Sequence, residues 1–149
     1  MMTQTILLVE DNPADILLIQ RAFRQADLSH ISLQIVRDGD AAVLYLSGER
    51  EYLDRERYPL PMLMLLDLKL PRRSGHEVLE WLRQQPDLKR LPVIMLTSSR
   101  EVFDVNQAYE LGANSYLVKP IGFAALVEML KTLNLYWLML NEPPEVQYS

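Results

Sequence analysis

Five short apolar runs punctuate this chain, and a stretch patterned for a helix follows each of them. The first, Thr5–Val9, does not alternate between apolar and polar positions, as expected of a strand buried on both faces. Pro13 then opens a helix at a position where its missing N–H costs nothing. Ile16, Ile19, Phe23 and Ala26 give that helix one apolar stripe. A second strand is predicted at Leu33–Val36, a turn and helix start at Asp38-Gly39-Asp40, and a short helix over Ala41–Leu46. Met62–Asp67 reads as the third buried strand. Ser74 caps a helix running to Gln85, with Glu77 three residues on as in a capping box. Val93–Thr97 is the fourth strand, and Glu101–Leu111 a helix stopped by Gly112. Ser115–Val118 is a short fifth strand, and a last helix runs from about Ile121 to Leu138.

One segment breaks the rhythm. Gly48–Pro61 is charged and closed by prolines, which predicts a surface excursion, with Tyr52, Leu53 and Tyr58 placed to fold it down locally. The remainder is a βα unit repeated five times. Such an order implies a parallel sheet covered by helices on both faces, a doubly wound three-layer α/β/α sandwich. With 149 residues, one domain is expected, here residues 1–140, followed by a tail over residues 141–149.

Composition narrows the class. The absence of cysteine removes disulfides and thiolate metal sites, and fits a cytoplasmic protein. Acids outnumber bases 20 to 15, which argues against direct binding to DNA, since phosphate recognition wants a basic face. The N-terminal residues carry no basic, signal-like region. Ile121–Leu140 is the most apolar long stretch, but Glu128 and Lys131 near its middle would be costly in lipid. It reads as a helix buried in protein, with no membrane span expected.

The chemistry collects at strand ends. In a parallel doubly wound sheet, all strands point their C-terminal ends to one edge, where ligands bind. Strand one ends in Glu10-Asp11, strand three in Asp67, strand four in Thr97-Ser98, and strand five just before Lys119-Pro120. Three carboxylates, a hydroxyl and an ammonium therefore converge from distant parts of the chain. Clustered carboxylates repel one another and call for a cation, and hard oxygen ligands select Mg²⁺ or Mn²⁺ over zinc. Asp67, on the middle strand, is placed as a nucleophile for phosphoryl transfer. The metal, Lys119, and the Thr97 hydroxyl with a nearby backbone N–H would then each face one phosphoryl oxygen.

The runs VEDNPAD, LLDLKLPRRSG, VIMLTSS and YLVKP resemble the receiver domains of two-component response regulators, a likeness covering roughly Thr5–Leu138. That resemblance implies a flavodoxin-like sheet of order 2-1-3-4-5. It implies Glu10 and Asp11 as the acidic metal pair, Asp67 as phosphoacceptor and metal ligand, and the backbone carbonyl of Lys69 as a further ligand. Thr97 would be the switch hydroxyl, Tyr116 the switch aromatic and Lys119 the lysine that contacts the phosphoryl group. The bond before Pro120 would be cis. The DNPAD run, the charged excursion, DLKLPRRSG and the apolar last helix further resemble the small regulators paired with cyanobacterial phytochrome kinases. The implied partner is a sensor histidine kinase, a phytochrome, with the message leaving through contacts to a downstream protein. A signalling protein is expected, not a metabolic enzyme.

Each feature also has a plain reading. Glu10-Asp11 alone is an ordinary helix approach, Thr97 an ordinary strand end, Lys119-Pro120 ordinary punctuation, and Tyr116 a packing residue. Arg72-Arg73 reads as a solvated loop or a kinase contact, Trp81 and Trp137 as core or interface, and His30 and His76 receive no role. A phosphatase with an aspartate nucleophile would want an acid two residues after Asp67, where Lys69 stands. A flavodoxin-like mononucleotide carrier would want a Ser/Thr/Gly-rich loop in place of Glu10-Asp11-Asn12-Pro13. A receiver-like interaction module without phosphorylation is the remaining alternative.

The last helix carries more apolar surface than one sheet face needs. Phe123, Val127, Leu130 and Leu138 are expected to face the sheet, with Leu126, Leu133 and Trp137 beside them. Ala125, Met129, Tyr136 and Leu140 are left for a second surface, which predicts a homodimer through this helix unless the tail folds back over it.

Overall fold

The computed structural model describes residues 4–28 and 30–146. Five parallel strands form one sheet in the order β2-β1-β3-β4-β5. They are β1 (Gln4–Val9), β2 (Ile31–Val36), β3 (Leu63–Leu66), β4 (Val93–Thr97) and β5 (Ser115–Val118). The helices between and after them are α1 (Pro13–Gln25), α2 (Gly39–Ser47), α3 (Gly75–Arg83), α4 (Val102–Glu110) and α5 (Phe123–Leu133). The three-layer sandwich and the flavodoxin-like order are as expected.

The non-alternating strands make sense once both faces are seen. Successive side chains of a strand point to opposite faces. Leu7, Val9, Met64, Leu66, Val93 and Met95 therefore pack on one side, with residues of α2, α3 and α4. Ile6, Leu8, Leu63, Leu65, Ile94 and Leu96 pack on the other, with residues of α1 and α5. Ile6–Val9, Leu63–Leu66 and Val93–Leu96 on the inner strands meet a core at every position, so all of these positions are apolar.

The excursion is held down by Arg55 and three tyrosines. Arg55 donates to the carbonyls of Tyr45 (2.7 Å), Leu46 (2.9 Å) and Tyr58 (3.1 Å). It thus ties the last turn of α2, through the Tyr45 and Leu46 carbonyls, to the excursion at Tyr58. The rings of Tyr45, Tyr52 and Tyr58 lie 5.1 to 6.0 Å apart, and the Tyr45 hydroxyl donates to Pro59 O. Leu53, expected to join them, is instead exposed. Tyr45 of α2 is the third member of the cluster.

The C-terminal region differs in detail from the expectation. Gly122 has φ 102°, a conformation that does not continue a helix, so α5 starts at Phe123 and Ile121 stands outside it, almost fully exposed. Phe123, expected to face the sheet, instead sits exposed on the first turn, while Leu126, Val127, Leu130, Leu133 and Leu138 meet the core. From Asn134 to Leu140 the helix widens into π geometry. Phe123–Leu140 is long and apolar enough to cross a membrane, but these five leucine and valine side chains pack into the protein core. The following segment leaves this side of the molecule: Arg90 donates to Glu145 O at 3.0 Å, and Val146 packs against the core on the α2–α3–α4 side. The Lys119–Pro120 bond, which the resemblance implied to be cis, is trans, the ordinary preference of a tertiary amide.

Candidate functional site

The site is mounted on the sheet itself. Beyond the strand ends, the parallel ladder continues for one more bond at three functional positions. Glu10 N–H donates to Val36 O (3.1 Å), Asp67 N–H to Val9 O (3.1 Å) and Lys119 N–H to Thr97 O (2.7 Å). The backbones of three site residues are thereby fixed by neighbouring strands. The loop after β3 closes back on the site because Gly75 has no side chain. A Cβ there would lie 2.1 Å from Asp67 O. Gly75 N–H donates to Leu68 O at 2.8 Å, and the capping box between Ser74 and Glu77 starts α3 immediately beside it.

Glu10, Asp67 and Thr97 are buried, whereas Asp11 is exposed. Carboxylate oxygens of Glu10, Asp11 and Asp67 lie within 4.8 Å of one another. Lys119 Nζ reaches Glu10 Oε1 at 2.5 Å, Asp67 Oδ2 at 2.9 Å and Asp15 Oδ2 at 2.9 Å. The second oxygens are also engaged: Asp67 Oδ1 accepts from Leu68 N–H (2.7 Å) and Glu10 Oε2 from Asn12 N–H (3.1 Å).

These contacts divide the protons. Burial pushes the Glu10 carboxyl up to about 7; the hydrogen bonds from Lys119 and Asn12 oppose it, and the charge of Asp67 adds to it. Burial also raises Asp67, but the hydrogen bond and charge of Lys119 and the Thr97 hydroxyl outweigh it and hold Asp67 below the usual carboxylate range. Burial lowers Lys119, yet its bonds to Glu10, Asp15 and Asp67 win and keep it above its ordinary value. At neutral pH Asp67 is therefore ionised, Lys119 is charged, and Glu10 is the group that shares a proton.

Five expected residues, Glu10, Asp11, Asp67, Thr97 and Lys119, thus come together at one edge. Lys69 lies on the loop leaving β3 with an exposed side chain. Tyr116 stands apart from the carboxylates: its hydroxyl donates to Ser99 O at 3.0 Å, on the loop before α4. Ser99 Oγ in turn donates to Asp104 Oδ2 at 2.6 Å. Arg72 and Arg73, read from the sequence as a solvated loop or a kinase contact, pair with Asp38 and Asp40 at the start of α2. Asp15 was not singled out from the sequence. The only signal was its place on the first turn of α1, directly after the Glu10-Asp11 pair.

Residues 6–131 match the family model of the response regulator receiver domain. The chain belongs to the receiver family. It is 44% identical to the response regulator Rcp1 of Synechocystis sp. over 135 residues, 91% of this chain and 89% of that protein. Among solved receivers, response regulator RPA3017 in red light signaling of R. palustris superposes with a TM-score of 0.91 at 35% identity, covering 96% of this chain and 99% of that one. The phosphorylated cyanobacterial phytochrome response regulator RcpA gives 0.88 at 38% identity, covering 97% of this chain and all (100%) of that one. The protein is thus a receiver homologous to phytochrome response regulators and acts in phosphorelay signalling, with a histidine kinase as partner. Rcp1 has been solved in a Mn²⁺-bound form, at TM-score 0.82 and 42% identity, covering 95% of this chain and 99% of that one. The all-oxygen donor set of Glu10, Asp11 and Asp67 in this receiver fits such a hard divalent cation.

Proposed function

We propose that this receiver takes a phosphoryl group onto Asp67 from the phosphohistidine of a sensor histidine kinase, a phytochrome. The observation that carries the reading is the Lys119 ammonium held 2.9 Å from an ionised, buried Asp67 carboxylate. An Asp67 oxygen forms a bond to phosphorus as the P–N bond breaks, and the imidazole leaves with that electron pair. Lys119 is placed to follow the transferred group, and the Thr97 hydroxyl with backbone N–H groups is placed to receive another phosphoryl oxygen. Glu10, Asp11, Asp67 and the backbone carbonyl of Lys69 would hold Mg²⁺, or Mn²⁺ in its place. The cation supplies positive charge against the phosphoryl oxygens. Thr97 and Tyr116 form the switch pair. A change at Thr97 is relayed through the loop that carries Ser99, on which the Tyr116 hydroxyl rests, and biases an existing equilibrium of the α4–β5 surface.

The further reading is of a cytoplasmic signalling protein, not a metabolic enzyme, with residues 1–140 as the receiver and 141–149 as a tail. It signals to a downstream protein without binding DNA or membrane. It also pairs with a second copy through α5 and its π extension. A groove of about 660 Å³ there is lined by Leu117, Pro120, Ala125, Met129, Tyr136 and Trp137, among others. The Arg90–Glu145 bond leads the chain away from it.

The test is incubation with acetyl phosphate, with and without Mg²⁺, followed by intact mass. One phosphoryl group on the wild type with Mg²⁺, and none on Asp67→Asn, is expected. Equal labelling of both proteins would refute the assignment.

A further inference from the structure

An alkylammonium has three N–H donors. Lys119 directs them at Glu10, Asp67 and Asp15 together. The first two acceptors belong to the acidic cluster, and Asp15 does not. A cation held by the cluster would draw on the same Glu10 and Asp67 oxygens as Lys119, and a phosphoryl group bonded to an Asp67 oxygen would change the charge that Lys119 faces there. Neither change involves the Asp15 carboxylate, which lies outside the cluster.

Asp15 is also well mounted. It is the third residue of α1, whose first residue is Pro13. The Asn12 side chain caps the helix by accepting from Ala14 N–H (2.9 Å) and from the N–H of Asp15 itself (3.2 Å). A cap and a proline thus fix the backbone that carries this carboxylate. Its side chain is 33% exposed. Lys119, by contrast, arrives on a flexible four-carbon stem that carries about 2 kcal/mol of rotamer entropy.

We propose that Asp15 is a positioning residue: its carboxylate tethers the Lys119 ammonium over the phosphoacceptor through metal binding and transfer. This rests on the phosphoacceptor reading above. Without Asp15, Lys119 has no anchor outside the groups that change. It collapses onto the cluster or swings into solvent, and the ordered contact to the phosphoryl group is lost.

Two measurements test this. The first needs neither metal nor phosphodonor. The folded wild type, Asp15→Ala and Asp15→Asn are labelled with trace acetic anhydride, and lysine acylation is read by peptide mass. Lys69, Lys89 and Lys131 are exposed and serve as internal standards. Lys119 is expected to react slowest in the wild type and about fivefold faster in Asp15→Ala, because an anchoring negative charge has gone. Asp15→Asn, which keeps an acceptor oxygen, should fall between.

The second is the rate of phosphorylation by acetyl phosphate with Mg²⁺. Asp15→Ala is expected to slow it about tenfold through lost positioning, with partial rescue in Asp15→Asn. In a Lys119→Ala background, Asp15→Ala should slow it no further. Unchanged Lys119 reactivity, or additive losses in the double variant, would overturn the proposal. A wild type that takes no label would sink the phosphoacceptor reading instead, and the acylation result alone would then decide on Asp15.

Discussion

Lys119 Nζ sits 2.9 Å from Asp67 Oδ2 although β5 and β3, the strands that deliver them, are not neighbours. β4 lies between, so the side chain must bridge about 10 Å of sheet, two strand spacings. A long flexible stem with a compact ammonium can do so while Thr97 ends β4 beneath it. The same lysine is the cation that Asp67 and Glu10 share, and that double role shapes the first expectation.

Removing Lys119 and removing Asp11 should move metal affinity in opposite directions. Lys119→Ala takes a competing cation out of the acidic cluster and should tighten Mg²⁺. Asp11→Ala takes away a ligand and a charge and should weaken it. Lys119→Ala should also slow phosphorylation about a hundredfold, the scale of losing one preorganised charge contact. Calorimetric Mg²⁺ titration and acetyl phosphate kinetics on both variants check this. Equal affinities would contradict the shared cluster.

The raised Glu10 carboxyl makes metal-free stability depend on pH. Its value of about 7 lies above the ordinary 4.5. Its favourable contribution is therefore complete below pH 4.5 and is lost as pH rises through about 7. Asp67, held below its ordinary value, acts in the opposite sense at more acid pH. Urea unfolding without metal should show Glu10→Gln losing less stability than the wild type between pH 5 and 8, with a difference on the order of 1–3 kcal/mol. Mg²⁺ binding should release protons near neutral pH, measurable as buffer-dependent heat.

Charge placed in the α5 groove should break the pair. Met129→Glu with Tyr136→Glu buries two unpaired carboxylates in a dimer and exposes them harmlessly in a monomer. Sedimentation is expected to give a dimer for the wild type at about tens of micromolar, which is a Kd range of about 7 kcal/mol or tighter, and a monomer for the double variant. A monomeric wild type would rule the pairing out.

Arg55→Ala should destabilise the fold by about 2–3 kcal/mol without touching phosphorylation. It leaves carbonyls of Tyr45, Leu46 and Tyr58 without the charged donor that now serves them. Denaturant midpoints read the first effect and acetyl phosphate labelling the second.

Much of this was legible in the sequence because local signals and the global fold agree. Pro13, Ser74 with Glu77, and Gly112 mark helix ends through backbone chemistry, and the apolar runs mark the strands. A parallel sheet then brings Glu10, Asp67, Thr97 and Lys119 to one edge, so the site followed from topology. What was not legible depends on side chains meeting across layers. Asp15 looks like a first-turn acid until Lys119 is seen beside it. Tyr45 is indistinguishable from other helix residues until it completes a cluster with Tyr52 and Tyr58. Gly122 hides the true start of α5, because its effect lies in φ and not in hydrophobicity.

The amides of Glu10, Asp67 and Lys119 are rungs of the sheet. Loop-borne sites can lose their shape while the scaffold endures, which gives many proteins a window of folded but inactive states on warming. Here such a window should be narrow. The backbones of Glu10, Asp67 and Lys119 move apart only when rungs of the sheet open, so heat inactivation and global melting should share one temperature.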